Sequence, residues 1–306
     1  MSLKERIRKE AFKLGFSKVG FTVPEISTYK EAFLKWLKAG FHADMTYMER
    51  NLDKRLDPKK LYPEVKTIIC LATNYYPGDQ FPIDFKISRY AMGRDYHNVL
   101  KKKMRRLFTF IKELIPEAEG RFFVDSAPVL ERALAQQAGI GWIGKNTMLI
   151  TKEYGSWVFL SEIFLNVELK PDPPFPTSHC GRCNKCIEAC PTGALQPYWL
   201  NSKKCISFIN IESKKNIPDW YWEKADSWVF GCDICQEVCP WNRKAKKTEE
   251  KDFLPKEEIL SLNLENLSKL SQQQFQQIFK GTPVLRAGYN RILTIATNLI
   301  KRKNLI

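Results

Sequence analysis

The amino-acid sequence predicts an α+β fold in which a front domain is followed by a cysteine-rich domain and a short helical tail. Helical and strand-like apolar spacings alternate through the first 170 residues. The proline-rich stretch KPDPPFP at 170–176 indicates a linker, and eight of the nine cysteines lie behind it. We therefore predict domains over 1–170 and 171–245 and a basic tail over 246–306, in line with a length of 306 residues.

The elements of the front domain follow from the spacing of its apolar residues. Positions such as Leu3, Ile7 and Ala11 recur at helical intervals, whereas TIICLA is a continuous apolar run typical of a buried strand. After Pro240 the chain becomes basic and then helical. The predicted elements are helices over 2–15, 30–41 and 95–115, strands over 17–23, 65–76 and 121–127, a helix over 127–139 with Pro128 in its first turn and Gly139 past its end, and a β-hairpin over 147–165 turning at Tyr154–Gly155.

The charge balance is strongly basic. Lysine and arginine number 49 against 34 acidic residues, a formal net charge of +15. Such a field holds polyanions, so nucleic acid is favoured over an anionic small substrate, a membrane surface or a merely solvated exterior. No apolar stretch is long enough to span a membrane, and the N-terminus carries no signal-peptide pattern, so a cytoplasmic protein is expected. The excess is clustered at 101–106, 203–204, 214–215, 243–247 and 301–303.

The cysteine spacing predicts iron–sulfur clusters. CGRCNKCIEACP at 180–191 is the C-x2-C-x2-C-x3-C-P run of bacterial ferredoxins, in which three thiolates hold one cubane and the fourth reaches another. CDICQEVCP at 232–240 is the same pattern with one ligand missing. Zinc is the main alternative, but a tetrahedral site has no use for the third step of the longer run.

Two cubanes need eight thiolates, and the two runs supply seven. Cys70 lies in an apolar strand, where a small buried thiol is expected, so Cys205 is the predicted eighth ligand; a buried structural cysteine is the alternative. The first cluster then takes Cys180, Cys183, Cys186 and Cys239, and the second takes Cys190, Cys205, Cys232 and Cys235. Such clusters move single electrons, so the front domain should hold whatever receives them.

Several segments together resemble the epoxyqueuosine reductase family. They are ISRYAMGRDYH at 87–97, FVDSAPVLERALAQQAGIGWIGKNTMLI at 123–150, YGSWVFLSEI at 154–163 and the cysteine layout. That family is similar in domain organisation to the corrinoid reductive dehalogenases. The resemblance, which runs from about residue 1 to about 290, implies cobalamin between a nitroreductase-like α+β domain and a ferredoxin-like domain with two 4Fe–4S clusters. It also implies an oxidoreductase that reduces epoxyqueuosine to queuosine in the tRNA anticodon loop.

The resemblance implies that Asp125, in VDSAPVLER, is the catalytic acid that protonates the departing epoxide oxygen. The residues alone leave this role about even with a helix N-cap before Pro128. Work near neutral pH would require a raised pKa, which a dry pocket favours. Position 127 is Ala where the family commonly has Gly, and the helical-repeat extension of longer relatives is absent, so a smaller tRNA footprint than theirs is expected.

Cobalamin contacts are carried over from the family to matching positions. Arg55 has a surface ion pair as its alternative, and Lys145–Asn146 has a turn. His97, in DYHNVL, stands where other corrinoid enzymes supply a histidine to cobalt, but Leu100 replaces the glycine of that segment. We therefore expect His97 to be structural and the cobalt to lack a protein ligand, and His42 and His179 to be satisfied polar residues. The predicted cobalamin residues are Arg55, Ser88, Asp125, Lys145, Asn146 and Ser207.

Basic residues around the cysteine domain are the predicted tRNA contacts, fixing position through phosphates while the modified base in the pocket gives specificity. Aromatic residues at 199 and 220–222 offer possible stacking faces, although most aromatic residues belong to cores. The predicted tRNA-binding residues are Lys203, Lys204, Lys214, Lys215, Arg243, Lys244, Lys246 and Lys247, and the aromatic candidates are Trp199, Trp220, Tyr221 and Trp222.

Three other functions are compatible with parts of the pattern. A corrinoid reductive dehalogenase would usually carry a twin-arginine export signal. An electron-transfer protein would need the eight cluster cysteines but no cobalamin and no Asp125. A nucleic-acid-binding module with structural zinc would hold no iron. For the favoured function we expect an external low-potential electron donor, no membrane association and a monomer.

Overall fold

The computed structural model describes residues 1–26 and 28–303. Within these ranges no helix is both long and apolar enough to cross a membrane. The helices are α1 (Leu3–Lys13), α2 (Lys30–Lys38), α3 (Leu52–Leu56), α4 (Pro58–Leu61), α5 (Tyr96–Leu114), α6 (Glu131–Gln137), α7 (Lys185–Glu188), α8 (Ile206–Ile211), α9 (Asp219–Lys224), α10 (Ile234–Glu237), α11 (Glu257–Leu260), α12 (Leu264–Lys269), α13 (Gln272–Ile278) and α14 (Tyr289–Lys303). The strands are β1 (Lys18–Thr22), β2 (Thr67–Asn74), β3 (Lys86–Ile87), β4 (Gly120–Phe123), β5 (Trp142–Ile143), β6 (Leu149–Ile150), β7 (Val158–Leu165), β8 (Leu195–Gln196), β9 (Trp199–Leu200) and β10 (Trp228–Phe230).

The front half is built on a four-stranded sheet of order β1-β2-β7-β4, in which every neighbouring pair is antiparallel. Helices α1 and α5 pack their apolar sides on one face of the sheet, and α6 packs on the other. Side chains of a strand alternate between faces, and both faces of this sheet are covered, so the central strands must be apolar throughout. The α+β prediction is confirmed.

Two local predictions are wrong. Strand β7 does not form a hairpin with β6; it lies between β2 and β4, because a run apolar on both faces is stable only at the centre of a covered sheet. Strand β6 pairs with β5 instead. Helix α6 begins at Glu131, so Pro128 lies in the loop before the helix and not in its first turn.

The cysteine-rich region, the tail and part of the front half share one hydrophobic core. Phe85, Ile87 and Met92 pack with side chains of α8 and β10 and with Ile292 and Ile295 of α14. Strand β3 pairs in parallel with β10. The domain boundaries at 170 and 245 stay a prediction.

The proline-rich stretch is tied to the front half. The Asp172 carboxylate accepts hydrogen bonds from the backbone N–H of Phe21 and from Arg8, and pairs with Lys4 at 2.6 Å. The cysteine-rich region is thereby attached at its start as well as through the β3–β10 pairing.

Candidate functional site

The first set of thiols surrounds a cavity. Cys180 and Cys183 lie in the loop before α7, Cys186 lies in α7, and Cys239 follows α10. All four line one cavity of about 240 Å³, whose other walls include His179 and Trp241. Burial and then the nearby Cys180 thiol raise the pKa of Cys186, which places these sulfurs within each other's electrostatic reach. The structure thus brings together the four residues predicted for the first cluster.

The second set forms around α8 and α10. Burial and then the Cys232 and Cys205 thiols raise the pKa of Cys235 well above its ordinary value. Burial likewise raises the pKa of Cys232, with Cys205 and Cys190 contributing. Cys205 stands immediately before α8, and the backbone N–H groups of Phe208 and Ser207 point at its sulfur. The structure brings together the four thiols predicted for the second cluster, including the one that lies outside both runs.

The donor set and the cavity fit iron–sulfur cubanes. A 4Fe–4S cluster is held by four cysteine thiolates, and each set offers four. Among the described ranges no three His, Cys, Asp or Glu side chains converge on a point sized for one metal ion. Cys70 stays apart from both sets: it is buried in β2, where burial raises the pKa of its thiol well above the ordinary value.

Arg89 joins the front half to the second thiol set. Its backbone N–H donates to the Asp233 carboxylate at 2.9 Å, and its guanidinium donates to Asp233 and to Glu237. The guanidinium also lies over the ring of Trp157, 5.0 Å from the centroid. Because Asp233 stands between Cys232 and Cys235, this buried ion pair fixes the loop that carries both cysteines.

Asp125 lies in the loop between β4 and α6 with a left-handed backbone, φ +56°. Its carboxylate accepts a hydrogen bond from the Tyr96 hydroxyl at 2.9 Å and lies 3.5 Å from Nε2 of His97. The side chain is 49% exposed, so it remains accessible to a bound molecule. A non-glycine residue in this backbone region is strained, and such strain concentrates at functional sites.

His97 connects two carboxylates. Its Nδ1 lies 2.7 Å from Asp95, which also caps α5, and its Nε2 faces Asp125. The hydrogen bonds to Asp125 and Asp95 raise the pKa of His97 to about 9. Although burial alone would raise it, the pKa of Asp125 is lowered by its hydrogen bonds from His97 and Tyr96. At neutral pH the proton of this pair therefore resides on the imidazole.

These contacts bear on three points of the sequence analysis. Asp125 does not cap α6, since Leu130 occupies the N-cap position and the carboxylate is bound to α5 side chains. Its pKa is lowered, not raised, in the protein alone. His97, expected to be a structural residue, is in contact with both Asp95 and Asp125. The sequence offered one signal, which is Asp95 and His97 two residues apart at the start of a helix. No neighbouring residue indicated that Asp125 is the partner of His97.

Polar groups from distant segments surround the Asp125 carboxylate. Burial and then the Asp125 charge raise the pKa of Tyr90. Burial, with Glu212 next, raises the pKa of Tyr47 to about 12. Arg286 pairs with Glu212 at 2.8 Å and contributes to lowering the pKa of Asp125. The site thus draws on the front half, the cysteine-rich region and the tail.

The predicted cobalamin residues other than Asp125 occupy separate surroundings. Lys145 and Asn146 line the cavity of the first thiol set, and Lys145 Nζ donates to the Gly181 carbonyl. Ser88 is buried beside Gly231, where an added Cβ would lie 2.0 Å from its hydroxyl. The backbone N–H of Ser207 points at the Cys205 sulfur. Arg55 is 8% exposed and donates to the Tyr47 carbonyl.

The eight predicted tRNA-binding residues are all exposed. Lys215 pairs with Asp44 at 3.1 Å, and Arg291 donates to its carbonyl. One aromatic expectation is wrong: Tyr221 is fully buried and donates its hydroxyl to the Trp228 carbonyl, so it offers no stacking face. Trp199, Trp220 and Trp222 are half-buried.

Two sets of four cysteine thiols joined to an α+β domain that carries an accessible carboxylate are the features of an iron–sulfur oxidoreductase. Residues 179–242 match the family model of a 4Fe–4S double cluster binding domain. Residues 55–126 match that of Epoxyqueuosine reductase QueG, DUF1730. The chain belongs to the epoxyqueuosine reductase family: it is 44% identical to the Cellulophaga algicola epoxyqueuosine reductase, over 94% of this chain and 96% of that protein.

Other relatives agree. The Pseudomonas aeruginosa epoxyqueuosine reductase is 41% identical, over 95% of this chain and 83% of that protein. An epoxyqueuosine reductase crystallised with an epoxyqueuosine-modified tRNA-Tyr stem loop superimposes with a TM-score of 0.90 at 32% identity, covering 97% of this chain and 80% of that one. A Bacillus subtilis structure has its catalytic aspartate loop swung out of the active site; its TM-score is 0.89 at 32% identity, covering 97% of this chain and 81% of that one. Membership in this family sets aside the dehalogenase, the electron carrier and the zinc module.

Proposed function

We propose that this chain reduces epoxyqueuosine to queuosine in the anticodon loop of tRNA. The observation that carries the proposal is the Asp125 carboxylate, accessible and bound to a protonated His97, in the same molecule as two complete sets of cluster thiols. Deoxygenating an epoxide to an alkene consumes two electrons and two protons and releases the oxygen as water, so both a redox region and an acid are needed.

Cobalamin is the proposed acceptor of the electrons, and reduced cobalt supplies the strong reductant or nucleophile that no side chain provides. Two of its predicted contacts have buried donors without an acceptor: Nε of Arg55 and Nδ2 of Asn146 have no partner among the described residues. An unpaired buried donor is costly, so a ligand rich in amide and phosphate oxygens suits both positions. Together with Ser88, Asp125, Lys145 and Ser207, these residues are assigned to hold it, between a nitroreductase-like and a ferredoxin-like domain.

Asp125 is the proposed group that delivers the proton to the epoxide oxygen, and His97 is its source. The imidazolium holds a proton at Nε2, directed at the carboxylate, and Asp95 fixes the ring from the other nitrogen. As negative charge develops on the substrate oxygen, the Nε2 proton of His97 passes to the Asp125 carboxylate and from there to that oxygen, while the second proton of the reaction comes from solvent. A low resting pKa at Asp125 is compatible with this role because the proton is stored one hydrogen bond away.

The segment that carries the first thiol set is exposed, which suggests the direction of electron entry. Cys180 and Cys183 lie in the loop before α7 and Cys186 lies in α7, and their neighbours Gly181, Arg182 and Lys185 are exposed. An external low-potential donor is therefore proposed to meet the first set, with the second set behind it. Cys180, Cys183, Cys186 and Cys239 are assigned to the first cluster, and Cys190, Cys205, Cys232 and Cys235 to the second.

The tRNA is proposed to lie over the cysteine-rich region. Lys214 and Lys215 follow closely after Glu212, whose partner Arg286 contributes to the field at Asp125. Phosphates bound at these lysines would bring the anticodon loop toward the carboxylate. We expect a monomer acting in the cytoplasm, where the modified tRNA is found.

The direct test is a single-turnover reaction. Reduced, cobalamin-loaded protein is incubated without oxygen with an anticodon stem-loop bearing epoxyqueuosine, and the nucleoside is analysed by mass. We expect the loss of one oxygen atom, and no change with a stem-loop bearing unmodified guanosine. An unchanged epoxyqueuosine mass in protein with full iron and cobalamin content would refute the proposal.

A further inference from the structure

Glu162 is a carboxyl group buried at the centre of the front sheet. It lies on β7, opposite Cys70 of β2 and Phe123 of β4, and its exposure is 0%. No donor among the described residues reaches either of its carboxyl oxygens. The Glu131 carboxyl, at the first position of α6, lies within hydrogen-bonding reach. An isolated buried carboxylate is very costly, so this pair must retain a proton.

Glu131 also contacts the catalytic loop. Its Oε1 accepts a hydrogen bond from the backbone N–H of Asp125 at 2.6 Å. This bond holds the peptide unit that enters the left-handed residue, so it opposes relaxation of the φ of +56°. The contacts form a chain from the buried centre of the sheet, through Glu131, to the residue that faces the substrate.

We propose that Glu131 and Glu162 share a proton and act as a carboxyl latch that positions Asp125. Glu162 donates the proton to Glu131, and Glu131 in turn accepts the Asp125 N–H. Both are positioning residues, since they act through the backbone of Asp125. This inference rests on the proposed role of Asp125 as the acid.

The electrostatic surroundings support a shared proton at neutral pH. Burial and then the Asp125 carboxylate raise the pKa of Glu131 to about 8. Burial and then the Glu131 carboxyl raise the pKa of Glu162 well above its ordinary value. When the pair loses its last proton in alkaline solution, two adjacent carboxylates repel and the latch opens. The titratable and charged groups whose fields involve this pair are Arg55, Cys70, Tyr96, His97, Asp125 and Arg132.

The test is hydrogen–deuterium exchange of the segment 124–130 in the full, cofactor-loaded chain. Glu131→Ala should accelerate exchange of this segment about tenfold or more, the effect of losing one charged hydrogen bond. It should lower kcat by a similar factor while KM for the stem-loop stays unchanged. Glu153→Ala, which removes an exposed carboxylate paired with Lys18, is the control and should change neither quantity.

The variant Glu162→Gln distinguishes a proton-dependent latch from a role of Glu162 in packing alone. The amide keeps the volume and donates a hydrogen bond to Glu131 at every pH. At pH 7 we expect the variant to exchange at the wild-type rate. At pH 10 we expect the segment to stay protected in the variant, whereas the wild type has lost that protection. The ratio of the two rates cancels the intrinsic pH dependence of exchange. The same alkaline loss in both proteins, or unaltered exchange in Glu131→Ala, would overturn the latch.

Two further outcomes are decisive. If Glu131→Ala does not fold, Glu162→Gln carries the test alone, because it changes no volume. If Asp125→Asn retains turnover, the acid role fails while the exchange results still decide the latch. The two hypotheses are therefore distinguishable.

Discussion

The thiol region and the Asp125 site handle charge in opposite environments. Burial dominates the pKa values of Cys205, Cys232 and Cys235 in the second thiol set, and all three are raised. At Asp125 the hydrogen bonds from His97 and Tyr96 outweigh burial and lower the pKa, and half of the side chain is exposed. One region holds thiols that must be deprotonated by a bound metal; the other keeps a carboxylate charged and accessible.

The difference teaches how the two functions are separated in one small chain. A cysteine thiol must lose its proton to bind iron, and a raised thiol pKa opposes that loss. The second thiol set should therefore hold its thiolates only when the cluster is bound. The proposed acid site is complete in the protein alone, because His97, its proposed proton store, is a side chain. Loss of a cofactor should therefore affect the first region and leave the second intact.

The largest expected effect follows from removing one ligand of the second thiol set. Cys205→Ser should remove the second cluster, reducing iron from about eight to about four atoms per chain and abolishing turnover. Cys70→Ser is the matched control, because Cys70 is a buried cysteine outside both sets. Iron analysis and electron paramagnetic resonance would measure the loss. Equal iron in the two variants would show that Cys205 is a structural cysteine.

The next largest effect is expected at the Asp125 site. Asp125→Asn should retain iron and cobalamin but lower the single-turnover rate about 10²–10⁴-fold, the usual contribution of a general acid. The stem-loop assay with mass detection gives the rate, and cofactor content is measured on the same sample. A variant that turns over normally would remove Asp125 as the acid.

A smaller effect should appear in the pH dependence of stability. The pKa of His97 is raised to about 9 in the folded protein, above its ordinary value of 6.5. Its ion pairs therefore stabilise the fold fully below about pH 6.5, and this contribution is lost as pH rises through about 9. The Tm difference between the wild type and His97→Gln, measured from pH 6 to 10, should shrink across this window. Asp95→Asn keeps the helix cap and should move the window to lower pH.

The smallest effect is expected at the surface. Replacing Lys214 and Lys215 with alanine should weaken stem-loop binding and reduce the slope of log Kd against log salt by about one to two, one phosphate for each lysine. Replacing the exposed Lys269 and Lys280, which lie outside the predicted set, removes the same charge and is the control. Equal slopes for the two variants would show that the net charge of the protein, and not these two positions, determines the binding.

The sequence predicts the thiol region better than the acid site, for a physical reason. Cluster ligands occupy short, fixed spacings because a short segment must supply several thiolates to one cubane. Because two cubanes need eight thiolates and the runs supply seven, the count alone indicated Cys205. The Asp125 site joins the start of α5, the loop before α6 and a buried strand residue, and no local period links them. In the sequence Glu162 is a charged residue within the apolar run VFLSEIFL, and only the structure places it near Glu131.

The β3–β10 pairing restricts how this molecule can be divided. Ser88 N–H donates to the Phe230 carbonyl at 2.8 Å, two residues before the first cysteine of the second run, and Phe85 and Ile87 fill the core that the tail completes. A fragment ending at residue 170 would expose these apolar side chains and leave an open strand edge prone to aggregation. Electron-supplying and substrate-handling halves therefore cannot be exchanged between relatives as independent modules; a chimera must carry residues 81–92 along with the cysteines.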